Sequence, residues 1–233
     1  MTLSLTVSDE VRALAPGFTH VAVEAHGLVN GPSTEASSAL LDDAARRLAV
    51  RLDGRAPHED PHMAAWRATY TAFGSKPSRT RNSAEALARR ALTDAGLPRI
   101  NVLVDLYNAI SVAHLVPVGG EDLDLVQGGM RLVRAGGEED FVTVAGGEET
   151  VEHPDAGEVV WRDEAGVTCR RWNWRQGPRT RLTEGTTSGI FLLESLDPVP
   201  VAEVRAAATE LAELLEKFSP GVCVTVREPW SAA

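Results

Sequence analysis

Segments with helical periodicity and segments with strand periodicity occupy different parts of this chain, and this order constrains the fold more than any other feature. Between residues 34 and 116, apolar side chains recur every three or four positions, which predicts helices over 34–52, 63–73, 83–95 and 100–116. From residue 117, short apolar runs alternate with paired glycines typical of hairpin turns, which predicts strands over 130–134, 141–144, 158–162, 167–171 and 190–194. The pattern also predicts strands over 3–7, 18–24 and 221–226 and a helix over 201–218. Segregated elements favour an α+β fold, in which a mixed α/β sheet packs against helices, over a Rossmann or barrel design.

The composition is that of an ordinary globular domain. The chain has 233 residues, of which 43% are hydrophobic and 24% are charged, so residues 1–233 can form a single domain with a real core. It has no run of 18 apolar residues, which excludes a membrane span, and its N-terminal segment lacks the features of a secretory signal. Cys169 and Cys223 lack metal-ligand spacing and favour a reducing compartment. We therefore expect a cytoplasmic protein with no membrane association.

The net charge of −10 at first disfavours a nucleic-acid partner, but the charge is unevenly distributed. Residues 66–90 carry a local charge of +5 and residues 162–181 carry +4, so the rest of the chain is at −19. Such an asymmetry allows an anion-binding face on an acidic body. The alternative is that these arginines are solvated and paired with the many carboxylates.

Sequence signatures of common catalytic sites are missing. The chain contains no GxSxG, HExxH, Walker or GxGxxG motif. His58 and His62 are four residues apart, but Pro61 between them spoils a helical pair of metal ligands. We therefore predict no metal and no cofactor.

Three segments carry polar side chains that could bind a ligand. Residues 169–181, CRRWNWRQGPRTR, contain two tryptophans that offer stacking surfaces. They also contain arginines, an asparagine and a glutamine that can donate hydrogen bonds to phosphate or carbonyl oxygens. An equal alternative is a twisted hairpin whose arginines stack on its own tryptophans. The loop 74–82, GSKPSRTRN, is basic and precedes a helix N-terminus. Its positive side chains and the free N–H groups of the helix N-terminus both favour binding of phosphate. Asp105 and Asn108 are three apart in the apolar helix and so share one face.

Several segments together resemble the B3/B4 domain of the phenylalanyl-tRNA synthetase beta subunit and, more closely, its free-standing relatives. They are FGSKPSRTRNS at 73–83, LPRINVLVDLYNAISVAHLVPVGGEDLD at 97–124 and GEVVWRDEAGVTCRRWNWRQ at 157–176, followed by Thr186, Thr187 and FLLES. These markers occur in order with compatible spacing, and the resemblance is strongest over residues 66–194.

The resemblance implies an editing module that hydrolyses the ester between a wrong amino acid and its tRNA, here acting in trans on mischarged tRNA. Its implied catalytic residues are Asn108, which lines the family's pocket, and Asp105. Its implied substrate-binding residues are Trp172, Asn173, Gln176 and Gly119. Its implied phosphate contacts are Lys76, Arg79, Arg81, Arg175 and Arg179. The expected partner is aminoacylated tRNA, and no DNA is expected.

Two departures from the family pattern leave other functions open. Gly119 stands where the synthetase has a histidine, and residues 177–181 offer Arg179 and its neighbours where the synthetase has a pocket glutamate. Both changes argue against tyrosine-specific editing. The main alternative is a non-catalytic module of the same fold that binds tRNA or senses an amino acid, and a third possibility is a hydrolase of another small ester or amide.

Overall fold

The described part of the chain contains helices and strands in the predicted order, and the α+β class is confirmed. The computed structural model describes residues 3–145 and 147–227. These residues form six α-helices: α1 Asp9–Leu14, α2 Glu35–Leu52, α3 Pro61–Ala72, α4 Ser83–Ala91, α5 Val102–His114 and α6 Val201–Phe218. They also form eleven strands: β1 Leu5–Val7, β2 Thr19–His26, β3 Val118–Asp122, β4 Met130–Arg134, β5 Phe141–Ala145, β6 Glu148–Glu152, β7 Val159–Arg162, β8 Val167–Arg170, β9 Arg175–Gln176, β10 Ser188–Ser195 and β11 Cys223–Arg227.

Capping residues explain where the central helices begin. The Thr34 hydroxyl accepts a hydrogen bond from the Ser37 amide, and the Ser37 side chain reciprocates at the Thr34 amide. Asn82 caps α4 by accepting from the amide of Glu85, as its sequence predicts. The helix predicted from residue 100 starts two residues later because Asn101 is its N-cap.

Two sheets organise the strands. A five-stranded sheet has the order β1-β4-β7-β8-β9, in which β1 pairs in parallel with β4 and the other pairs are antiparallel. A four-stranded antiparallel sheet has the order β11-β2-β10-β3, and a separate hairpin joins β5 to β6. In the four-stranded sheet β2 and β10 are the central strands.

The four-stranded sheet separates two hydrophobic cores. Its Val23 and Phe191 face a core shared with α5 and α6, whereas Ala22 and Leu192 face the opposite core, which also contains Trp161 of the five-stranded sheet. Alternate residues of each strand therefore contribute to different layers, as the pleat requires. No helix in the described part of the chain is both long and apolar enough to cross a bilayer.

Four elements are absent from the sequence-based prediction: α1, β3, β6 and β9, of which β9 has only two residues. Helix α1 is short and buries Val11 fully, so it has little apolar periodicity to detect. Strand β6 is half-buried at Glu152 and otherwise exposed, so it too lacks an apolar pattern. Strand β3 contains Gly119 and Gly120, although paired glycines predict a turn. A side chain at Gly120 would meet Leu182 at 2.9 Å, so close packing inside a strand favours this glycine.

Candidate functional site

A cavity of about 290 Å³ lies where the two sheets meet α4 and α5. Tyr107 and Asn108 line it from α5, and Gly119 and Glu121 line it from β3. The remaining wall comes from α4, β3, β10, the five-stranded sheet and the turn before β9, through Ser83, Ala86, Leu87, Val118, Leu192, Glu194, Trp161, Cys169, Trp172, Asn173, Trp174, Arg175 and Gln176. Elements far apart in the chain therefore meet at one concave and largely apolar site, which is typical of a small-molecule site.

The cavity brings together Asn108 and all four of the substrate-binding residues predicted from the sequence. Trp172, Asn173, Gln176 and Gly119 line it together with Asn108. A Cβ atom at Gly119 would meet no atom within 4 Å, so the space that a larger side chain would occupy is open. The Asn108 side chain makes no hydrogen bond to any other described residue, although Asn108 is buried. A buried amide without a protein partner is available to a ligand or a water.

Asp105 does not line the cavity. Its carboxylate accepts hydrogen bonds from the Ser37 hydroxyl at 2.7 Å and from the Ile100 amide at 3.2 Å, and the residue is fully buried. These bonds connect the first turn of α5 to α2. The structure therefore places Asp105 outside the cavity that Asn108 lines, in contacts that fix the helix carrying Asn108.

A strained turn places Trp172 in the wall of the cavity. Arg171 and Trp172 both have left-handed backbones, with φ of 45° and 67°, which is uncommon for residues other than glycine. The turn directs Trp172 inwards, where its ring meets that of Trp66 edge-on with 5.3 Å between ring centroids. Trp174 is half-buried, and the Arg171 guanidinium carbon lies 4.6 Å from the centroid of its ring. Residues 171–174 thus combine the two alternatives drawn from their sequence, a ligand-facing tryptophan and an arginine-stacked hairpin.

Two buried carboxyl groups that the sequence did not single out, Glu121 and Glu194, line the cavity. Glu194 accepts hydrogen bonds from Trp161 Nε1 at 2.8 Å, Trp172 Nε1 at 3.2 Å and Asn173 Nδ2 at 2.9 Å. Burial raises the pKa of Glu121 to about 8 and the pKa of Glu194 to about 7. The strand period could have indicated both, because each follows a cavity-lining residue, Gly119 or Leu192, by two positions.

These two carboxyl groups predict a loss of stability between pH 6.5 and 8. In the unfolded chain a glutamate loses its proton near pH 4.3, whereas in the native state these two groups keep their protons to a higher pH. The native state therefore binds more protons than the unfolded state, and the free energy of unfolding falls as pH rises towards 8. His20 and His62, whose pKa values burial lowers to about 4, act in the opposite direction, but only below about pH 6.5. We expect a loss on the order of 1–3 kcal/mol across this window, measured by urea denaturation at fixed pH. An equally steep loss in the double variant Glu121→Gln, Glu194→Gln would contradict this assignment.

Cys169 lines the cavity, but its environment makes it a poor nucleophile. Burial raises the pKa of its thiol well above the usual range, and the nearby carboxylates of Glu121 and Glu194 act in the same direction. We expect iodoacetamide at pH 8 to alkylate the exposed Cys223 at least about tenfold faster than Cys169, because the thiolate is the reactive form. Peptide mapping by mass spectrometry measures both rates, and equal labelling would show that Cys169 is accessible and ionised.

An arginine groove adjoins the cavity. Arg79, Arg81, Arg89 and Arg90 line an open depression of about 680 Å³, and Trp174 and Ala86 belong to the walls of both the groove and the cavity. Of the predicted phosphate contacts, Arg79 and Arg81 lie in this groove. Lys76 is exposed on the same loop but is not part of the groove lining. Arg89 and Arg90 were missed because they lie on the outer face of a helix, the ordinary place for solvated charge.

Most arginines of residues 162–181 are paired with carboxylates, which was the alternative to a free positive surface. Arg170 is paired with Glu152 and Glu158, Arg175 with Glu152, and Arg179 with Asp163 at 2.6 Å. Most of these carboxylates lie outside the window of sequence in which the positive charge was counted. Arg175 still reaches the cavity wall, whereas Arg179 is held away from it by Asp163.

The described residues contain no cluster of three or more His, Cys, Asp or Glu side chains arranged to hold a metal ion.

Comparisons with known proteins point to one family. The family model of the B3/4 domain matches residues 65–220. Among solved structures, an N-terminal fragment of the phenylalanyl-tRNA synthetase beta subunit from Pyrococcus horikoshii aligns with a TM-score of 0.47 and 13% identity. That alignment covers 96% of this chain and 50% of the other, so this chain spans half the length of that fragment. No curated protein matches the sequence.

Proposed function

This chain belongs to the B3/4 domain family, and from that premise we propose that it hydrolyses the ester bond of mischarged aminoacyl-tRNA. The family predicted from residues 66–194 is confirmed by the match over residues 65–220. Editing in trans is the activity that the resemblance implies for a free-standing member.

The unpartnered amide of Asn108 carries this proposal. Its side chain faces the cavity and makes no hydrogen bond to a described residue, so both its donor and its acceptor atoms are available to a ligand or a water in the cavity. An aminoacyl ester is already activated, so a site needs chiefly to orient a water and stabilise the developing oxyanion. The Asn108 amide can do either.

The neighbouring arginine groove supports a nucleic-acid substrate. Aminoacyl-tRNA presents a small ester at the end of a single strand, with phosphates within a nucleotide of the ester. A cavity for the ester and a cationic groove beside it, separated by Ala86 and Trp174, match that arrangement. Trp174 offers an aromatic face on which a terminal base could stack.

In this mechanism each residue of the cavity has a distinct task. Asn108 holds the attacking water or the ester carbonyl, Gln176 and Asn173 shape the wall, and Trp172 excludes bulk water. Asp105 acts through α5 and touches neither ester nor water. A vicinal ribose hydroxyl of the substrate would assist proton transfer, so no side-chain base and no metal are required.

A deacylation panel tests the proposal. The protein is incubated with many correctly and wrongly charged tRNAs, including D-amino acids, and the ester remaining is followed over time with and without a chelator. Hydrolysis of at least one mischarged species is expected. The alternative, a non-catalytic tRNA-binding or amino-acid-sensing module, is favoured by the open space at Gly119; decay of the whole panel at the uncatalysed rate, with tRNA still bound, would establish it.

Removing positive charge from the arginine groove is expected to weaken tRNA binding and its dependence on salt. Arg79 and Arg89 are exposed and form no ion pair with described residues, so the double variant Arg79→Gln, Arg89→Gln leaves the internal contacts intact. Each lost phosphate contact should reduce the slope of log affinity against log salt by about 0.7–0.9. Filter binding at several salt concentrations measures the slope.

The matched control is Arg46→Gln with Arg131→Gln, which removes the same charge from exposed positions outside the groove. If both double variants change the slope equally, net charge rather than the groove governs tRNA binding. We avoid Arg81 in this test because it lies 3.5 Å from the buried carboxylate of Glu85.

A further inference from the structure

A second, smaller pocket of about 190 Å³ adjoins the cavity. Arg175 and Gln176 belong to the walls of both the cavity and this pocket, and Arg181 and Thr143 supply the other polar side chains of its wall. Among the described residues, none lines both this pocket and the arginine groove. We call this space the Arg181 pocket, and it has no task in the hydrolysis described above.

Arg181 differs from the other arginines of residues 162–181, which are paired with carboxylates. Its guanidinium forms no ion pair or hydrogen bond with a described residue, and its side chain is exposed. Its backbone forms a β-bridge with Glu121 of β3, which fixes the position of the residue. A guanidinium that stays charged and has all its N–H donors free is suited to bind an anion.

The hydroxyl of Thr143 is a second donor without a partner. Thr143 is 4% exposed, yet its side chain makes no hydrogen bond to a described residue. Its backbone pairs with Thr150 in the β5–β6 hairpin, so the strand holds the side chain in the pocket wall. A hydroxyl beside two guanidinium groups suits the oxygens of an anion.

Arg175 is shared between the pocket and the β5–β6 hairpin. One carboxylate oxygen of Glu152 accepts from Arg175 Nη1 at 3.2 Å, and the other accepts from Arg170 Nη1 at 2.8 Å. Arg170 also donates two hydrogen bonds to Glu158, so it keeps a charged partner without Glu152. The Glu152 side chain is 39% exposed, and such an exposed pair is weak, so another anion can compete with Glu152 for Arg175.

The position of the pocket points to one phosphate of a strand. Residues 174–176 separate the cavity from both cationic sites, because Trp174 borders the arginine groove while Arg175 and Gln176 border the Arg181 pocket. A strand whose terminal ester lies in the cavity has one phosphate on its terminal nucleotide and the others further along. The small pocket suits the single phosphate, and the larger groove with four arginines suits those that follow.

We propose that the Arg181 pocket binds the phosphate joining the last two nucleotides of tRNA, and that Glu152 competes with this phosphate for Arg175. The inference rests on the part of the proposed function that places the end of tRNA in the cavity. Binding of the strand replaces the contact between Glu152 and Arg175, so the hairpin lowers the affinity for tRNA.

A double-mutant cycle between Arg181 and a single phosphate tests this placement without catalysis. The probe is an unacylated RNA hairpin with the acceptor stem of tRNA and a CCA end. In one version the last linkage is an uncharged methylphosphonate, and in another the linkage before it is. All versions carry 2′-O-methyl riboses at both linkages, which protects them from cleavage. Filter binding at several salt concentrations gives the affinity and the salt slope of each.

Arg181→Gln breaks no contact with a described residue and should weaken binding of the unmodified probe roughly 3- to 10-fold, with a slope reduced by about 0.7–0.9. The methylphosphonate at the last linkage should weaken binding to the unaltered protein at least as much, but binding to the variant less. The methylphosphonate one linkage earlier should weaken binding to both alike. The control Arg131→Gln, which removes the same charge outside both cationic sites, should respond to each methylphosphonate as the unaltered protein does.

Glu152→Gln tests the competition for Arg175. It should tighten binding of the unmodified probe roughly 2- to 5-fold, because Arg175 is released to the phosphate. This gain should be lost when the last linkage is a methylphosphonate. Glu216→Gln removes the same charge from an exposed position on α6, and any gain it gives should be the same whichever linkage is neutral.

Equal losses from the last methylphosphonate in the unaltered protein and Arg181→Gln would overturn the inference, as would coupling of Arg181 to the earlier linkage or no binding of the probe. Coupling to the last linkage, without hydrolysis of any charged tRNA, would instead refute the proposed function and leave this inference intact. Hydrolysis without that coupling would support the proposed function and refute the inference.

Discussion

Replacing Asn108 with alanine is expected to lower the rate of aminoacyl-tRNA hydrolysis by roughly 100- to 1000-fold, the usual cost of losing one donor to a developing oxyanion. The amide is buried in the cavity wall and makes no hydrogen bond to another described residue, so its removal breaks no contact within the described structure. The affinity for tRNA should persist, because the phosphate contacts lie in the adjoining groove. Single-turnover deacylation and filter binding measure the two effects separately.

Ser111→Ala is the matched control for this variant. Ser111 lies one turn further along α5, is fully buried, and donates to the Val116 carbonyl at 2.8 Å outside the cavity. Its loss should reduce stability by about 1 kcal/mol and leave turnover per folded molecule unchanged. An Asn108→Ala protein that hydrolyses its substrate at the original rate would remove Asn108 from the mechanism.

Replacing Glu158 with glutamine is expected to lower the free energy of unfolding by roughly 3–5 kcal/mol, the usual cost of breaking a buried ion pair from one side. Glu158 receives Arg170 Nε at 3.0 Å and Nη2 at 2.8 Å, and it also accepts from the Arg171 amide at 3.0 Å. Both charged side chains are almost fully buried, so a neutral residue at position 158 leaves the Arg170 guanidinium only the more exposed Glu152 as a charged partner. Urea denaturation measures the change.

The comparison variant is Asp43→Asn, which breaks the exposed Arg46–Asp43 pair on α2. Its cost should stay below about 1 kcal/mol because water screens and replaces an exposed pair. Similar losses in both variants would show that burial does not determine the strength of the Glu158 pair. Since Glu158 also holds the backbone at Arg171, its loss should additionally loosen the turn that carries Trp172 into the cavity.

Local patterns in the sequence were enough to predict the long elements. The helix predicted over 201–218 has the observed bounds of α6, and the strand predicted over 130–134 has those of β4, because an apolar stripe and flanking turn residues define each one. The cavity residues Asn108, Trp172, Asn173, Gln176 and Gly119 were found through the family resemblance. Neither periodicity nor spacing alone would have brought these residues together.

The parts that could not be predicted depend on partners distant in the chain. The positive charge counted over residues 162–181 is neutralised mainly by Glu152 and Glu158, which lie just before that window. Glu121 follows two glycines, and its place in the cavity wall depends on the pairing of β3 with β10, where Glu121 lies opposite Ile190. These two strands are separated by more than 60 residues of sequence.

The position of β2 at the centre of its sheet has a consequence during synthesis on the ribosome. Both strands that flank it, β10 and β11, lie near the other end of the chain, about 160 residues or more after β2 ends. At about 5–20 residues per second, the ribosome needs roughly 10–30 s to supply the first of them. Throughout that interval the apolar strand, with Val21 and Val23, has neither of its native neighbours. The nascent chain therefore offers an unpaired strand to chaperones, or to other nascent chains, until β10 has been synthesised.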